Sequence, residues 1–462
     1  MNPVQQVTLG DVFARAGRLY RERPAIAMGD RRMTFGALDE QTDRLGQALR
    51  RLGIARGDRV ALLSQNAFEY LVCVGAAAKV GAVLVPLNFR LQPAEVAYIL
   101  ADSGAKLIVT QPAFVAPLQG IRGELPALEQ VVVFGGGGPG GAPAHHRLVA
   151  AGPPAPARAP AGTGGHPGAR MYTAAVEGRP RGAMLPHRAF VYQNVHMGDL
   201  LGITEHDVYA NFLPMFQTMD IAFALACLHH GALNVIVERF DGAEAAQIIT
   251  EYKVSFMAEF APMAGRILEA ATANNNDLSS LRAVFGLDSP AIVRAYLERY
   301  PGLVWFGGYG QTETHGLAAG SPIRSAAELE ARPGMPGRPG PLNLVAIVDE
   351  EDRELPPDTV GEIVVRGPNA AVAFWQLPEV PPPTPRHGWH HTGDLGRLDA
   401  DGYLWFVDRK GEKELIKTGG ENVYPAEVGA GMRERPPVTA GRGAGGGRPE
   451  RGGAGQAGGE LA

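Results

Sequence analysis

Residues 58–87 read DRVALLSQNAFEYLVCVGAAAKVGAVLVPL. Two short apolar runs, DRVALLS and AVLVPL, flank FEYLVCVGAAAKVG, which is long enough for a helix and ends in glycine. Strand, helix, strand is the smallest parallel unit, because parallel strands need a crossover connection. The pattern extends both ways. Upstream, TFGALDEQTDRLGQALRRLG places Leu38, Leu45, Leu49 and Leu52 on one helical face and stops at Gly53. That leucine stripe reads as core, not as a recognition surface. Downstream, LQPAEVAYILADSG is a helix with Pro93 in its first turn and Gly104 as its stop, and AKLIVT is a further strand. The β-α-β-α-β order predicts a mostly parallel sheet covered by helices.

Residues 208–306 repeat the theme. VYANFLP, LNVIVER, VSFMAEF, LRAVFG and LVWFG read as strands, with amphipathic or apolar helices between them. Residues 340–408 change to short alternating strands with turn residues, as in a small β unit. Two segments, 135–168 and 429–462, are rich in Gly, Ala and Pro or Arg and read as unfolded, since they bury too little apolar surface to offset their ordering entropy.

Bulk properties narrow the function. A chain of 462 residues calls for more than one core unit. The net charge of −5 indicates no basic surface, which argues against nucleic acid as a partner. Cys73 and Cys227 lie far apart in apolar helical runs, as buried free thiols of a reducing cytoplasm would. The start, MNPVQQVTLGDVFAR, lacks the basic segment and apolar core of a signal peptide. The longest apolar stretch, LVCVGAAAKVGAVLVPL, is broken by Lys79 and two glycines and is too short to span a membrane.

Two clusters carry polar chemistry. GGYGQTETHG, residues 307–316, follows an apolar strand. Its glycines let backbone approach a ligand, Tyr309 offers a flat face for a base, Thr312 a hydroxyl, and Glu313 a carboxylate for a hard cation such as Mg²⁺. The same residues also suit a plain polar turn. In HTGDLGRLDADGYLWFVDRKGEKELIKTGGENVYPAEV, residues 391–428, Asp394 can accept hydrogen bonds from a ribose diol and Arg409 can meet a phosphate or hydroxyl. Surface-turn roles remain open for both. GGGGPG at 135–140 matches a dinucleotide fingerprint literally, but GAPAHHR after it is turn-like, so no helix is expected to receive a phosphate. The adjacent pairs His145–His146, His229–His230 and His390–His391 do not form a zinc motif, since neighbours on a strand point to opposite faces.

YGQTE at 309–313, GEIVVRGP at 361–368, GWHHTGD at 388–394 and DRKGEKELIKTGGENVYPAEV at 408–428 resemble the AMP-forming acyl-CoA synthetases, the adenylate-forming ligases. TFGALDEQTDRLGQALRRLGIARGDRVALLSQN and GAVLVPLNFRL look like the same family, so the resemblance runs from about residue 8 to Val428. It implies an α/β fold with a large amino-terminal domain, 1–408, of two α/β layered subdomains and a small β-barrel-like subdomain. A hinge and partial α+β lid at 409–428 and a low-complexity tail at 429–462 would follow. It implies ATP, Mg²⁺ and coenzyme A as cofactors and a small carboxylic acid, fatty or aromatic, as substrate. The acid would become an acyl-AMP and then an acyl-CoA in the cytoplasm.

By this resemblance Tyr309 stacks on adenine, Thr312 contacts phosphate, Glu313 holds Mg²⁺, Asp394 grips the ribose and Arg409 lies near the same nucleotide. Gly308, Gly310 and Gln311 belong to the nucleotide segment, and Gln217 and Gly307 to the acyl pocket. The turn from Arg409 to Glu414 resembles the lid's hinge. MYTAAVEGRPRG at 171–182 stands where the family carries Y-T-S-G-T-T-G-x-P-K-G. Tyr172, Thr173, Gly178, Pro180 and Gly182 match, Arg181 replaces lysine, and Ala174 to Glu177 replace the hydroxyl-bearing run. Thr173 and Arg181 would flank the phosphate, with backbone N–H groups cradling it. NFLPMFQTMD at 211–220 has Gln217 where histidine is usual and Asp220 where glycine is usual. The lid pattern stops near Val428 and no lysine follows Lys417, as a shifted reading frame or a truncation would produce. These departures define an alternative, a catalytically impaired or non-catalytic nucleotide or acyl-adenylate binding protein.

Overall fold

The computed structural model describes residues 7–135, 144–153, 155–157, 165–173, 180–334, 336–371, 373–374, 388–410, 416–418, 421–423, 438–446 and 454–461. The stretch that opened the sequence reading folds as read. Arg59–Leu63 lies parallel to Val83–Leu87, with Arg59 opposite Val83, and the helix Phe68–Val80 crosses between them and stops at Gly81, φ +77°. Leu107–Thr110 and Gln130–Val133 extend the parallel sheet on one side. On the other, Pro167–Thr173 joins Val83–Leu87 and then pairs antiparallel with Arg181–Pro186.

The second α/β unit forms a nine-stranded sheet. Its parallel centre runs Leu233–Ile236, Val208–Asn211, Phe256–Phe260, Ala283–Leu287 and Val304–Gln311, and Gly316–Ile323 turns back against the last of these. Pro24–Met28 lies parallel to Leu233–Ile236, so the chain's first strands complete the second sheet rather than the first. PAIAM is a generic apolar run whose pairing partner is set by tertiary packing. The apolar helices Leu9–Leu19, Phe35–Arg51 and Phe68–Val80 share one core with Ile221, Ala224 and Leu225 of Thr218–His230, which ties the two sheets together. The leucine stripe sits in that core, with Leu38, Leu45 and Leu49 all nearly inaccessible.

The expected small β unit is a four-stranded antiparallel sheet of Leu344–Val348, Gly361–Arg366, His390–Leu398 and Leu404–Arg409. Gly337 exchanges two backbone hydrogen bonds with Leu404, which fastens this sheet beside the strand Arg338–Pro339 of the second. Beyond Lys410 the described pieces are two ribbons, Ile416–Thr418 with Glu421–Val423 and Val438–Gly446 with Ala454–Leu461. The rest of the expected hinge, lid and tail lies outside the described residues.

Within the Gly/Ala/Pro-rich patch, the described residues 144–153 and 155–157 are more ordered than composition predicts. A helix, His145–Ala151, forms where HHR reads as turn-like. The long helix Phe35–Arg51 holds it through polar side chains: Arg44 Nη1 donates to Gly152 O at 3.0 Å, Arg51 Nη2 to Ala151 O at 2.8 Å, and Asp43 accepts from Ala157 N at 3.0 Å. Backbone groups taken up by a neighbour leave no apolar periodicity to read. The histidine pairs likewise differ, since only His390–His391 lies on a strand, while the other two pairs are helical. Among the described residues no cluster suited to a metal ion occurs, both cysteines are buried and free, and no helix is long and apolar enough to cross a membrane.

Lys79, which interrupts the longest apolar run, is 4% exposed. Its ammonium bonds Asp39, and Asp43 Oδ1 at 2.8 Å, so it neutralises two carboxylates of the neighbouring helix. Lys79→Met removes the cation and leaves two half-buried acids facing each other. The expected cost is about 3 kcal/mol, read as a lower urea midpoint with an unchanged slope.

Candidate active site

The strand Val304–Gln311 and its return strand Gly316–Ile323 are joined by a tight 3-10 turn, Thr312–Thr314, followed by His315 and Gly316 at φ +47° and +92°. The turn is pinned from outside: Ala371 N donates to Glu313 O at 2.7 Å, and Asn369 Nδ2 to Thr314 O at 2.8 Å. With its backbone so held, the turn leaves the Thr312 and Glu313 side chains half-exposed. Among the described residues the Glu313 carboxylate has no hydrogen-bond or ion-pair partner, which fits a hard cation.

The glycines of this segment serve the sheet first. A Cβ on Gly310 would lie 1.9 Å from Gly316 O, and one on Gly308 would lie 2.4 Å from Ala319 O. The close approach that the sequence reading assigned to a ligand is, at these two positions, the approach of the return strand. Gly307 is buried in the same strand.

Asp394 comes from the small β unit and meets this strand. It is 1% exposed. Its Oδ2 accepts from Tyr309 Oη at 2.8 Å and from Gln311 Nε2 at 2.6 Å. Its Oδ1 is buried and accepts no hydrogen bond, with Arg409 Nε 3.7 Å away. A buried carboxylate oxygen normally has a donor, so this one keeps capacity for a ligand hydroxyl. Burial, then the Asp394 charge, pushes the Tyr309 hydroxyl well above its ordinary range, so it stays a donor. The Tyr309 ring lies near-parallel to that of Phe406, 6.4 Å between centroids and 21° apart.

Beside them Glu362 organises the strand ends. It accepts from Gly393 N at 3.0 Å, Lys410 Nζ at 2.7 Å and His391 Nδ1 at 3.1 Å. Burial pushes its carboxyl up, but these donors outweigh burial and hold it below the usual glutamate range. Glu362 thereby fixes both Gly393, next to Asp394, and Lys410, next to Arg409. Neither Phe406 nor Glu362 was singled out from sequence. Glu362 stands in the quoted GEIVVRGP, and Phe406 is an exposed aromatic on an edge strand.

Thr173 and Arg181 face each other as the two stems of one hairpin, with Thr173 Oγ1 donating to Arg181 O at 3.5 Å. The strand Arg181–Pro186 lies against the Thr312–Thr314 turn, so the hairpin mouth and the turn belong to one site. Gly178, with the rest of 174–179, lies outside the described residues. Gln217 opens the helix Thr218–His230 as its N-cap residue and is half-buried. That helix packs on the return strand, where Ala222 Cβ lies 4.0 Å from the Cβ position of Gly316.

Two α/β sheets thus bring together a turn whose Glu313 carboxylate has no partner among the described residues and a buried aspartate with one oxygen that accepts no hydrogen bond among them. The sequence profile of the AMP-binding enzyme family matches residues 13–375, and the chain belongs to that family. It is 32% identical over 435 residues to a feruloyl-CoA synthase from Amycolatopsis sp, covering 91% of this chain and 82% of that protein. It is 30% identical to an indoleacetate–CoA ligase from Aromatoleum aromaticum, covering 93% and 84%. The o-succinylbenzoate CoA synthetase of Bacillus subtilis, bound with a product analogue, superimposes with a TM-score of 0.83 at 25% identity, covering 96% of this chain and 87% of that one. With these relatives the chain is an AMP-forming acid–CoA ligase.

Proposed function

We propose that the enzyme activates a fatty or aromatic acid with ATP, giving an acyl-adenylate and pyrophosphate, and then transfers the acyl group to the thiol of coenzyme A. The observation that carries this reading is the Asp394 constellation. One carboxylate oxygen is saturated by Tyr309 and Gln311 and the other is left for a ribose hydroxyl. Tyr309 presents its ring to adenine, Arg409 supplies positive charge beside the ribose, and Thr312 and Arg181 face the phosphates. Thr173 and Arg181 flank the phosphates by resemblance, and a main-chain cradle between them needs no particular side chain.

Glu313 would hold Mg²⁺, whose charge offsets the repulsion between an incoming carboxylate and the triphosphate and stabilises the leaving pyrophosphate. The protein's own share is orientation. Pinning the 312–314 turn and the Asp394 strand fixes the α-phosphate relative to the acid, and positioning of this kind carries most of the catalysis in displacements at phosphorus. The acyl pocket lies at Gln217 and Gly307, and a cytoplasmic enzyme is part of this reading. The relatives' names cover feruloyl, indoleacetate and succinylbenzoate substrates, which supports an aromatic acid.

The test is pyrophosphate release from ATP over short, medium, long and aromatic acids, with ATP binding followed in parallel. Acid-dependent release is expected. Binding of ATP with no release from any acid would instead make the chain a nucleotide-binding protein.

A further inference from the structure

Both stems of the hairpin that runs from Thr173 to Arg181 are held by one helix, Pro93–Ser103. Val96, Ala97, Ile99 and Leu100 bury one side of this helix in a core shared with Leu63, Val85 and Leu87 of the first sheet. Tyr98 and Asp102, one turn apart, stand on the side that meets the hairpin. The Tyr172 hydroxyl donates to Asp102 Oδ2, which ties the entering stem. Tyr98 Oη donates to Pro180 O at 3.2 Å, which ties the returning stem. Arg170, two residues before Tyr172 and so on the same face of its strand, is buried and donates from Nη1 to Ser103 O at 3.1 Å.

The helix end that receives these contacts is itself fixed. Arg59 donates from Nε to Ser103 O and from Nη2 to Gly104 O, each at 2.7 Å. Cations suit the last carbonyls of a helix. On the returning stem Gly182 makes room for the two side chains of the entering one, since a Cβ there would lie 2.7 Å from Arg170 Cδ and 3.2 Å from Tyr172 Cζ. Thr173 follows the anchored Tyr172, and Arg181 follows the anchored Pro180. The anchors therefore set where Thr173 and Arg181 stand relative to the Thr312–Thr314 turn, against which the returning strand lies. Stems ordered during folding spare ATP the cost of ordering them on binding.

We propose that Asp102 and Tyr98 are positioning residues for ATP: acting through Tyr172 and Pro180, they hold both stems of the hairpin where Thr173 and Arg181 meet the triphosphate. This rests on the reading of the hairpin as the phosphate-binding element. Neither residue touches the nucleotide. Their effect falls on ATP and spares the acid, whose pocket belongs to Gln217 and Gly307 in the same reading.

The experiment measures the Kd of Mg-ATP by titration calorimetry and the KM values of ATP and of acid in pyrophosphate release. Wild type is compared with Asp102→Ala, Asp102→Asn, Tyr98→Phe and Tyr172→Phe, and thermal melting without ATP establishes that each is folded. Asparagine keeps an acceptor for the Tyr172 hydroxyl and alanine does not. The two phenylalanine variants each remove a single hydroxyl, so they carry the test even if Asp102→Ala does not fold. Asp102→Ala, Tyr98→Phe and Tyr172→Phe are each expected to raise the Kd and KM of ATP by about three- to tenfold, the loss of one hydrogen bond. The KM of the acid should stay within about twofold, and Asp102→Asn should restore ATP binding to within about twofold of wild type. An ATP Kd unchanged in the folded variants would overturn the proposal. So would an equal rise in both KM values, which marks a general loss of structure, or a failure of asparagine to rescue. Wild type that binds ATP but releases no pyrophosphate with any acid would remove the activity reading, and the Kd series would still judge the proposal. Wild type that binds no ATP would remove both.

Discussion

Replacing Glu313 by glutamine is expected to lower kcat/KM for acid-dependent pyrophosphate release by roughly 10³-fold, about 4 kcal/mol of transition-state stabilisation. The carboxylate is half-exposed and bonds nothing among the described residues, so folding does not depend on it. The turn that carries it is held by main-chain contacts from Ala371 and Asn369, which glutamine leaves in place. An amide keeps the size and loses the charge, and a neutral ligand binds Mg²⁺ far more weakly than a carboxylate. The melting temperature should therefore stay within about 1 °C of wild type, while the Mg²⁺ concentration giving half-maximal rate rises. A variant with wild-type turnover and unchanged Mg²⁺ dependence would remove Glu313 from the metal site. A variant that fails to fold would show that the turn depends on the carboxylate after all.

Much of this site was legible in sequence because short polar motifs follow strong strands. LVWF leads into the Tyr309 to Glu313 turn, and the strand His390–Leu398 carries Asp394. What the motifs did not disclose is that they bond one another. The link from Tyr309 Oη and Gln311 Nε2 to Asp394 spans more than eighty residues and depends on the small β unit docking against the second sheet through Gly337 and Leu404. Gly308 and Gly310 illustrate a different limit. A glycine that admits a ligand and one that admits a neighbouring strand look alike in sequence, and only the position of Gly316 O and Ala319 O separates them.

The fold was legible to the extent that periodicity encodes it. Every helix between residues 34 and 104 and between 219 and 300 forms where spacing and stop signals put it. The pieces that periodicity did not disclose are those in which polar or non-local contacts decide. Pro24–Met28 finds its partner two hundred residues away, and His145–Ala151 is ordered by arginines of another helix. Lys79 belongs with these. In sequence it is a defect in an apolar run, and in the structure it is the cation that makes two neighbouring aspartates tolerable.

Asp220, which is fully inaccessible in the first turn of the helix Thr218–His230 and leaves its Oδ2 unpartnered among the described residues, should carry a signature in stability. Its carboxyl is raised from 3.8 to about 8, with burial the chief cause and the Tyr209 hydrogen bond working the other way. The other groups facing it, Tyr209, Tyr70 and Cys227, are all pushed up by burial above their already high ordinary values, so none of them titrates between pH 4 and 8. In that window the native state holds a proton that the unfolded chain releases. Stability therefore falls as pH rises, by at most about 1.4 kcal/mol per pH unit from this group, and the contribution flattens below about 4 and above about 8. Asp220→Asn keeps an acceptor for Tyr209 and removes the titration. Relative to wild type the variant is expected to gain stability steadily from pH 5 to pH 8, by roughly 3 kcal/mol in total, read from urea midpoints at four or five pH values. Glu259, also buried and raised, contributes a slope of the same sign to both proteins and cancels in the difference. Parallel curves would mean that the Asp220 carboxyl is solvated in the folded protein, contrary to its burial and its unpartnered oxygen.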